Sequence, residues 1–219
     1  REVGGIAGKA SNTVINRCNS IEGSASGSMN IGGICGNMIE NSIIEECYSS
    51  INISGAENNV GGLVGRAENS SIIDSYVTDI TVKSSADCCG GLIGLIKDSS
   101  LEYCYSRATV SGEDSVGGLA GLSENSVTIK NSAALNKELA GTNKDNLNKI
   151  TGKGNPTMNN CFSLLNMTIT FVGTNSDSDY THKWSVLDGT EKANITDIIS
   201  SLSLDKSVWN LSSQYPVHK

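Results

Sequence analysis

Short apolar blocks recur along this chain at a nearly constant interval, separated by stretches rich in Gly, Asn and Ser. A fixed long period of this kind is typical of repeat architectures, in which each unit packs on the next. Successive copies of one block, which reads Val-Gly-Gly-Ile/Leu-x-Gly, are spaced by 28, 29, 29 and 27 residues. Its five copies begin at Val3, Ile31, Val60, Cys89 and Val116.

Two further series keep the same period and extend it to a sixth unit, in which the Gly-Gly block is missing. In each unit an apolar residue is followed three positions later by a small residue. The apolar series consists of Ile15, Ile44, Ile72, Leu101, Ile129 and Met158. The small series consists of Cys18, Cys47, Ser75, Cys104, Ser132 and Cys161.

The blocks are short, β-branched and bounded by turn residues, which is typical of strands, and the Gly and Ser content opposes helices. We therefore predict an all-β fold, a parallel β-solenoid (β-helix) of about five to six coils with a period of about 28 residues. Roughly three strands per coil would pair with their counterparts about 4.8 Å above and below. Because Asn tolerates left-handed turns, we also predict an internal Asn ladder at one corner. Its members would be Asn12, Asn41, Asn69, Ser99 and Asn125.

The blocks VGGIAG, IGGICG, VGGLVG, CGGLIG and VGGLAG resemble the GLUG motif, and so do the segments IIEECYS, SIIDSYV and LEYCYS. This motif is a short repeat of bacterial surface and secreted proteins, which also occurs in non-catalytic regions of IgA-specific metallopeptidases. The segments 131–139, 159–167 and 207–219 resemble the stretch that often closes such arrays. The resemblance implies an extracellular or cell-surface location in bacteria and an adhesive or accessory role.

Two parts of the chain differ in pattern. Residues 1–135 contain the GLUG-type repeats, whereas 136–219 contain a polar insertion (about 136–156), a last irregular coil and a capping segment. A cap is expected because a solenoid end exposes strand edges and apolar core. The segment 186–216 is predicted to be this cap because of its apolar residues, among them Val186, Leu187, Ile195, Ile198, Ile199, Leu202, Trp209, Leu211 and Tyr215.

The charge balance restricts the choice of partners. The chain carries 16 Lys and Arg against 23 Asp and Glu, a net charge of −7, which repels nucleic acid phosphates. Apolar runs stay well short of the roughly 18 to 20 residues that span a membrane. The first residue already lies inside a repeat, so we expect a longer parent protein. The missing export signal therefore leaves the compartment open.

Catalytic motifs are missing from the pattern. The two histidines, His182 and His218, cannot form a His-Glu-x-x-His zinc site. Glu46 and Asp74 occupy one register and could act as paired carboxylates on a polysaccharide, or could simply be solvated. We predict a non-enzymatic module for adhesion, binding or a surface stalk. The alternatives are an ancillary region of a secreted IgA-protease-like metallopeptidase and a polysaccharide-cleaving β-helix.

Two side-chain rows are candidate sites. Tyr48, Tyr76 and Tyr105 follow the small series; they form either an outer row that binds a host glycan or a surface or matrix protein, or an internal aromatic stack. No cofactor is predicted apart from Ca²⁺, which four carboxylates at one turn could bind if solvent and lysines do not neutralise them. These carboxylates are Glu40, Glu68, Asp98 and Glu124.

The seven cysteines behave in the pattern as small buried apolar residues. An odd number leaves at least one thiol without a partner in the chain. Cys18 and Cys47 are ladder neighbours with no serine between them, so a disulfide there is an alternative to two free thiols.

Overall fold

The computed structural model describes residues 1–172, 190–202, 204–211 and 215–219. Residues 3–171 form a parallel β-solenoid of six coils, which confirms the predicted fold class. Each coil contains five short strands, where the sequence predicts roughly three. The two extra strands are only two residues long, too short to give a periodic signal of their own.

The strands follow the chain order coil by coil. Coil one contains β1 (Val3–Gly4), β2 (Ala7–Ser11), β3 (Val14–Asn16), β4 (Asn19–Ser20) and β5 (Ser24–Gly27). Coil two contains β6 (Ile31–Gly32), β7 (Cys35–Ile39), β8 (Ile43–Glu45), β9 (Tyr48–Ser49) and β10 (Asn52–Gly55). Coil three contains β11 (Val60–Gly61), β12 (Val64–Glu68), β13 (Ser71–Ile73), β14 (Tyr76–Val77) and β15 (Thr81–Ser84).

The second half of the solenoid repeats this arrangement. Coil four contains β16 (Cys89–Gly90), β17 (Ile93–Lys97), β18 (Ser100–Glu102), β19 (Tyr105–Ser106) and β20 (Thr109–Ser111). Coil five contains β21 (Val116–Gly117), β22 (Ala120–Glu124), β23 (Thr128–Lys130), β24 (Ala133–Ala134) and β25 (Glu138–Gly141). A 3-10 helix, Lys144–Asn146, leads into coil six, which contains β26 (Leu147–Asn148), β27 (Thr151–Lys153), β28 (Thr157–Asn159), β29 (Phe162–Leu164) and β30 (Thr168–Phe171).

Equivalent strands of successive coils pair in parallel and form five sheets along the solenoid axis. The register follows the sequence series: Ile72 pairs with Ile44 above it and with Leu101 below it. The inner faces of the sheets supply one continuous apolar core, in which Ile44, Ile72 and Leu101 are fully buried. The predicted apolar and small ladders are therefore confirmed as the interior of the fold.

A left-handed residue makes the corner between the apolar and the small ladder. Two residues three positions apart can both point inward only if the chain bends between them. The residue directly before the small ladder adopts a positive φ in each coil, for example 50° at Glu46 and 45° at Asp74. The bend turns the small residue inward, where its side chain accepts a hydrogen bond from the coil above, as Ser75 Oγ does from Cys47 N at 3.1 Å.

The second glycine of the Gly-Gly block allows the interior to pack closely. A Cβ atom at Gly62 would lie 2.3 Å from the carbonyl oxygen of Gly91 in the next coil and 3.0 Å from Val77 Cγ1. Distances of this kind leave room only for hydrogen, so glycine is required by close approach rather than by a special dihedral angle.

The Asn ladder lies at a different corner from the predicted one. Asn12, Asn41, Asn69 and Asn125 do adopt left-handed conformations, but their side chains are exposed. The buried pair is Asn30 and Asn59, which precede the Gly-Gly block; Asn59 Nδ2 donates a hydrogen bond of 2.8 Å to Asn30 Oδ1. The prediction was wrong because exposed Asn turns and buried Asn turns have the same sequence signature.

The predicted polar insertion of residues 136–156 is also corrected. Its residues complete coil five and begin coil six, with Glu138–Gly141 paired to Thr109–Ser111 through Val110 and Leu139. The sixth coil keeps the register without the Gly-Gly block, because Leu147 and Asn148 pair with Val116 and Gly117. Leu147 follows Val116 by 31 residues, against 27 to 29 between the earlier blocks, so the insertion amounts to a few residues around the 3-10 helix Lys144–Asn146.

The C-terminal part adds a cap to the last coil. Strand β31 (Thr190–Lys192) pairs with Phe162–Leu164, and helix α1 (Ile195–Ser201) packs beside both strands. The predicted capping residues Val186 and Leu187 lie outside the described residues. A final hairpin, β32 (Trp209–Asn210) and β33 (Val217–His218), then follows the outer wall. None of the helices in the described ranges is long and apolar enough to cross a membrane.

Candidate functional site

The three predicted tyrosines stack along the solenoid axis. The ring centroids of Tyr48 and Tyr76 are 5.0 Å apart with an interplanar angle of 9°, and Tyr76 and Tyr105 repeat this at 5.0 Å and 12°. The rings point away from the interior, because Ser49, the residue after Tyr48, packs inward against Gly33. Stacking turns the ring faces toward one another, so the outward surface of the row consists largely of ring edges.

The C-terminal residues 204–211 and 215–219, which we call the strap, cover this row. The Trp209 ring lies 5.6 Å from Tyr76 and 5.9 Å from Tyr105, at angles of 48° and 45°. The ring of His218 meets Tyr76 edge-on at 4.9 Å. Tyr105 also donates a hydrogen bond to the carbonyl oxygen of Pro216. With the strap in place, only 4% of Tyr76 and 1% of Tyr105 remain accessible.

Asp74 fastens the strap to coil three. Its carboxylate accepts a 2.8 Å hydrogen bond from Trp209 Nε1, and its carbonyl oxygen lies 2.6 Å from His218 Nε2. Burial raises the pKa of the Asp74 carboxyl, and the Trp209 bond partly offsets this effect. Burial lowers the pKa of His218, against the opposing influence of the Asp74 carbonyl and Glu46. Burial thus disfavours the charged form of both groups, the Asp74 carboxylate and the His218 imidazolium.

The side chain of Arg107 also holds the strap against the solenoid. The guanidinium carbon of Arg107 lies 3.4 Å from the centre of the Tyr215 ring, and Arg107 is paired with Asp79 on the neighbouring coil. Cations over aromatic faces are attracted by the ring quadrupole. Under the strap, Tyr76 and Tyr105 belong to the buried apolar cluster, and the half-buried Tyr48 packs against it. Binding of a glycan or of a protein by the three tyrosines stays a prediction.

The four predicted metal-ligating carboxylates do not form a single row. Glu68 and Glu124 share a register with Lys97, whereas Glu40 and Asp98 each lie one residue further along the turn. Lys97 Nζ lies 2.9 Å from Glu68, and this contact and Arg66 together lower the pKa of the Glu68 carboxyl. Unlike charges therefore alternate here.

The other two carboxylates have partners of their own. Asp98 accepts hydrogen bonds from Asn125 Nδ2 at 2.9 Å and from Ser126 N at 3.3 Å, which lower its pKa. Glu40 accepts a hydrogen bond from the Ser11 hydroxyl. Within the described part of the chain, no three His, Cys, Asp or Glu side chains come together as metal ligands. Calcium binding by these four residues stays a prediction.

The paired carboxylates are both engaged in other contacts. Glu46 forms a salt bridge of 2.8 Å with Arg17, which lowers the pKa of its carboxyl, while Asp74 holds Trp209. His218 belongs to the strap, and His182 lies outside the described residues. The pKa of Glu46 is lowered and that of Asp74 is raised. The Asp74 carboxyl, however, faces the indole of Trp209 rather than an open cleft.

The seven cysteines all carry free thiols in the structure. Cys18 N donates to Cys47 Sγ at 3.3 Å, so these neighbours occupy the ladder as a hydrogen-bonded pair rather than as a disulfide. Burial raises the pKa of Cys47 to about 11 and that of Cys89 to about 12. Such thiols are neutral at physiological pH and act as small packing groups.

The sequence did not reveal a groove that runs along the solenoid axis. In each coil it lies before the apolar ladder, whereas the tyrosine row lies after it. This groove has a volume of about 450 Å³ and crosses coils two to five between the second and third sheets. One lip consists of the left-handed turn residues Asn41, Asn69 and Asp98, and the other of Ser71, Ser100 and Thr128. A signal was available, because Asn or Asp followed by Ser stands at the same place in four successive repeats, at residues 41–42, 69–70, 98–99 and 125–126.

The fold defines the class of the protein as a repeat protein whose coils stack into a parallel β-solenoid. The family described as the GLUG motif matches residues 56–83, which include most of coil three, and this confirms the resemblance seen in the sequence. No curated protein matches the chain.

A solved structure shares the fold. The crystal structure of a putative immunoglobulin A1 protease from Bacteroides ovatus, at 1.30 Å resolution, superposes with a TM-score of 0.69. The match covers 94% of this chain and 75% of that chain, at 18% sequence identity. At this identity the similarity shows the fold alone.

Proposed function

We propose that this chain is a non-catalytic module of an extracellular or cell-surface bacterial protein. It serves as a rigid repeat scaffold that presents a binding surface to a host glycan or to a surface or matrix protein. The observation that carries the proposal is that the candidate catalytic carboxylates already have structural partners. Glu46 forms a salt bridge with Arg17, and Asp74 accepts a hydrogen bond from Trp209. The inward side chains pack in ladders.

Rigidity follows from the pairing. Every interior coil is bonded on both sides in five sheets, and the core contains fully buried ladders such as Leu63, Leu92 and Leu119. Stability in such arrays is close to a sum of coil and interface contributions, so the outer face can vary without loss of the fold. The net charge of −7 favours neutral or basic partners over nucleic acid.

The test is an assay of binding and of cleavage on the same preparation. Immobilised protein is exposed to glycan and matrix-protein panels, while the supernatants are analysed by mass spectrometry. We expect saturable binding without shortened products. Release of sugar fragments, abolished by Glu46→Gln, would instead support a polysaccharide-cleaving β-helix.

A second candidate is an ancillary region of a secreted metallopeptidase. It is favoured by the shared fold with the Bacteroides ovatus structure over 94% of the chain. On this hypothesis the longer gene product encodes a His-Glu-x-x-His segment, and the isolated chain binds immunoglobulin A1 without cleaving it. A longer product that contains only further repeats and a surface anchor would favour the adhesin or stalk.

A further inference from the structure

We propose that the groove between the second and third sheets is a binding site for a linear, neutral glycan of β-linked pyranose units, which lies parallel to the solenoid axis. This inference rests on the proposed function and names the ligand class of the module. It depends on the shape of the groove, on the repetition of its polar groups and on its low charge.

The polar groups of the groove repeat with the coil. Asn41 and Asn69 expose side-chain amides from left-handed turns with φ of 58° and 48°. An amide offers two N–H donors and one carbonyl acceptor, which suits the hydroxyls of a sugar. Asp98 occupies the next place in this lip and contributes a carboxylate acceptor.

The opposite lip supplies hydroxyls and one apolar contact. Ser71, Ser100 and Thr128 lie in one register of the third sheet, and Ser100 Oγ donates to Ser71 Oγ at 3.1 Å. Ile43 extends this register by one coil and provides an apolar patch for the C–H face of a pyranose. Each coil thus contributes a turn residue to one lip of the groove and a β-strand residue to the other.

The floor of the groove is fixed. Ser70 N donates to Ser99 Oγ at 3.0 Å, and the Ser99 hydroxyl donates to the Lys97 carbonyl at 2.6 Å. Ser70 and Ser99 are at most 7% exposed. The Ser99 hydroxyl joins neighbouring coils, and the Ser70 hydroxyl donates to the Glu68 carbonyl within its own coil. A ligand would therefore meet a preformed surface, which limits the loss of entropy on binding.

The spacing selects a polymer. Successive coils are about 4.8 Å apart, so the four coils that line the groove cover about 14 Å. An extended chain of β-1,4-linked pyranoses advances by a similar step per unit. Successive units are turned over, so every second sugar presents the same edge to the same lip. An added peptide strand is not favoured, because the adjacent strand edges are already paired within the sheets.

The charge selects a neutral chain. Asp98 is the one ionisable residue among the described residues that line the groove, and its pKa is lowered by the bonds from Asn125 and Ser126. A carboxylate that stays ionised, in a chain of net charge −7, repels uronate or sulfate polymers.

The experiment measures the affinity of the full chain for β-1,4-linked glucose and N-acetylglucosamine oligomers of increasing length by titration calorimetry. We expect affinity to rise with each unit up to about four units, one per coil, and then to level off. Ser71→Tyr fills the groove from the third sheet and should weaken binding by about tenfold or more, which is ~1.4 kcal/mol. Thr81→Tyr, an outward substitution in the same coil but outside the groove, should leave binding unchanged.

Both variants are first checked by thermal unfolding. If Ser71→Tyr does not fold, Ser100→Tyr with Thr109→Tyr gives the same comparison one coil further on. Absence of saturable binding to every neutral oligomer, a preference for polyanions, or equal binding by Ser71→Tyr would overturn the groove assignment alone. Shortened oligomers in the cell of the calorimeter would instead overturn the proposed non-catalytic function.

Discussion

Trp209 donates a hydrogen bond from Nε1 to the carboxylate of Asp74 across 2.8 Å, although 135 residues separate them in the chain. This bond joins the last residues of the chain to the middle of the solenoid. It places the indole against the edges of Tyr76 and Tyr105. The strap therefore covers two tyrosines for which the sequence left an exposed position open.

The hydrogen bond from the Trp209 N–H should stabilise the attachment of the strap, in addition to the contacts of the indole ring. Trp209→Phe keeps an aromatic ring beside Tyr76 but leaves a half-buried carboxylate without its donor, which costs about 1–3 kcal/mol. Trp209→Ala also removes the ring contacts and should cost about 3–5 kcal/mol, up to the point at which the strap detaches. Limited proteolysis within residues 204–219, followed by mass spectrometry, measures the opening of the strap directly.

The matched control is Leu211→Ala, which removes a partly exposed side chain from the same segment. We expect its cleavage rate to stay close to that of the parent chain. Equal protease resistance of Trp209→Phe and the parent chain would show that the Asp74 contact makes no net contribution.

The strap should loosen in mild acid. Burial lowers the pKa of His218, and an unfolded histidine titrates near pH 6.5, so the folded state binds fewer protons over this range. The stability that His218 contributes is therefore complete above about pH 6.5 and is lost as the pH falls toward the lowered pKa. The groups that face the ring are Glu46, which favours the imidazolium, and Asp74 with its neighbouring tyrosines.

Asp74 has the opposite sign. Its pKa is raised by burial, so the cost of the buried charge is present above the raised pKa and is relieved as the pH falls through it. Hydrogen exchange of the strap at about pH 7.5, 6 and 5, corrected for the intrinsic rate, measures both effects. His218→Gln should flatten the change between about pH 7 and 5; an unchanged profile in this variant would assign the effect to another group.

The Gly-Gly block should tolerate no side chain. At Gly62 a Cβ would meet a carbonyl oxygen of the next coil at 2.3 Å, and the paired backbone cannot retreat. Gly62→Ala is expected to destabilise the fold by about 3 kcal/mol or more. At Gly141 the nearest atoms are side-chain carbons, Val116 Cγ2 at 3.3 Å and Leu147 Cδ1 at 3.4 Å, which need to shift by only a few tenths of an ångström, so Gly141→Ala should cost less than Gly62→Ala. Urea unfolding distinguishes the two, and equal losses would contradict the close-approach explanation.

The repetitive part of this fold could be predicted because each coil repeats the same physical problem. Ile44, Ile72 and Leu101 must be alike, since each packs on the one above, and this likeness is visible as a period in the sequence. The five-strand coil could not be predicted, because strands such as Tyr48–Ser49 are too short to alternate. The left-handed residue at Asp74 explains how ladders of odd separation both face inward.

The site was harder to predict because it depends on contacts without periodicity. Tyr76 follows a visible series, but its burial comes from Trp209 and His218, which belong to none of the repeated series. The groove was missed for the opposite reason: Asn69 and Ser71 look like ordinary turn residues. Only the register shows that they face their neighbours across one channel.

The buried Asn pair predicts a stabilising substitution. Asn30 and Asn59 adopt φ of 54° and 65° in consecutive coils and are joined by a 2.8 Å hydrogen bond. Cys88 occupies the next place in this register with φ of 59°, a conformation that Asn tolerates better than most residues. Its thiol is buried, with a pKa raised to about 12, and it is neutral.

Cys88→Asn should extend the ladder, because the new amide can donate to the side chain of Asn59 as Asn59 does to Asn30. One added buried hydrogen bond contributes about 1 kcal/mol, which corresponds to about 2–4 °C in Tm for a domain of this size. Cys88→Ser is the control, since it has a similar size but no amide to bridge the coils. A Tm for Cys88→Asn no higher than that of Cys88→Ser would show that this corner depends on conformation alone and gains nothing from hydrogen bonding between coils.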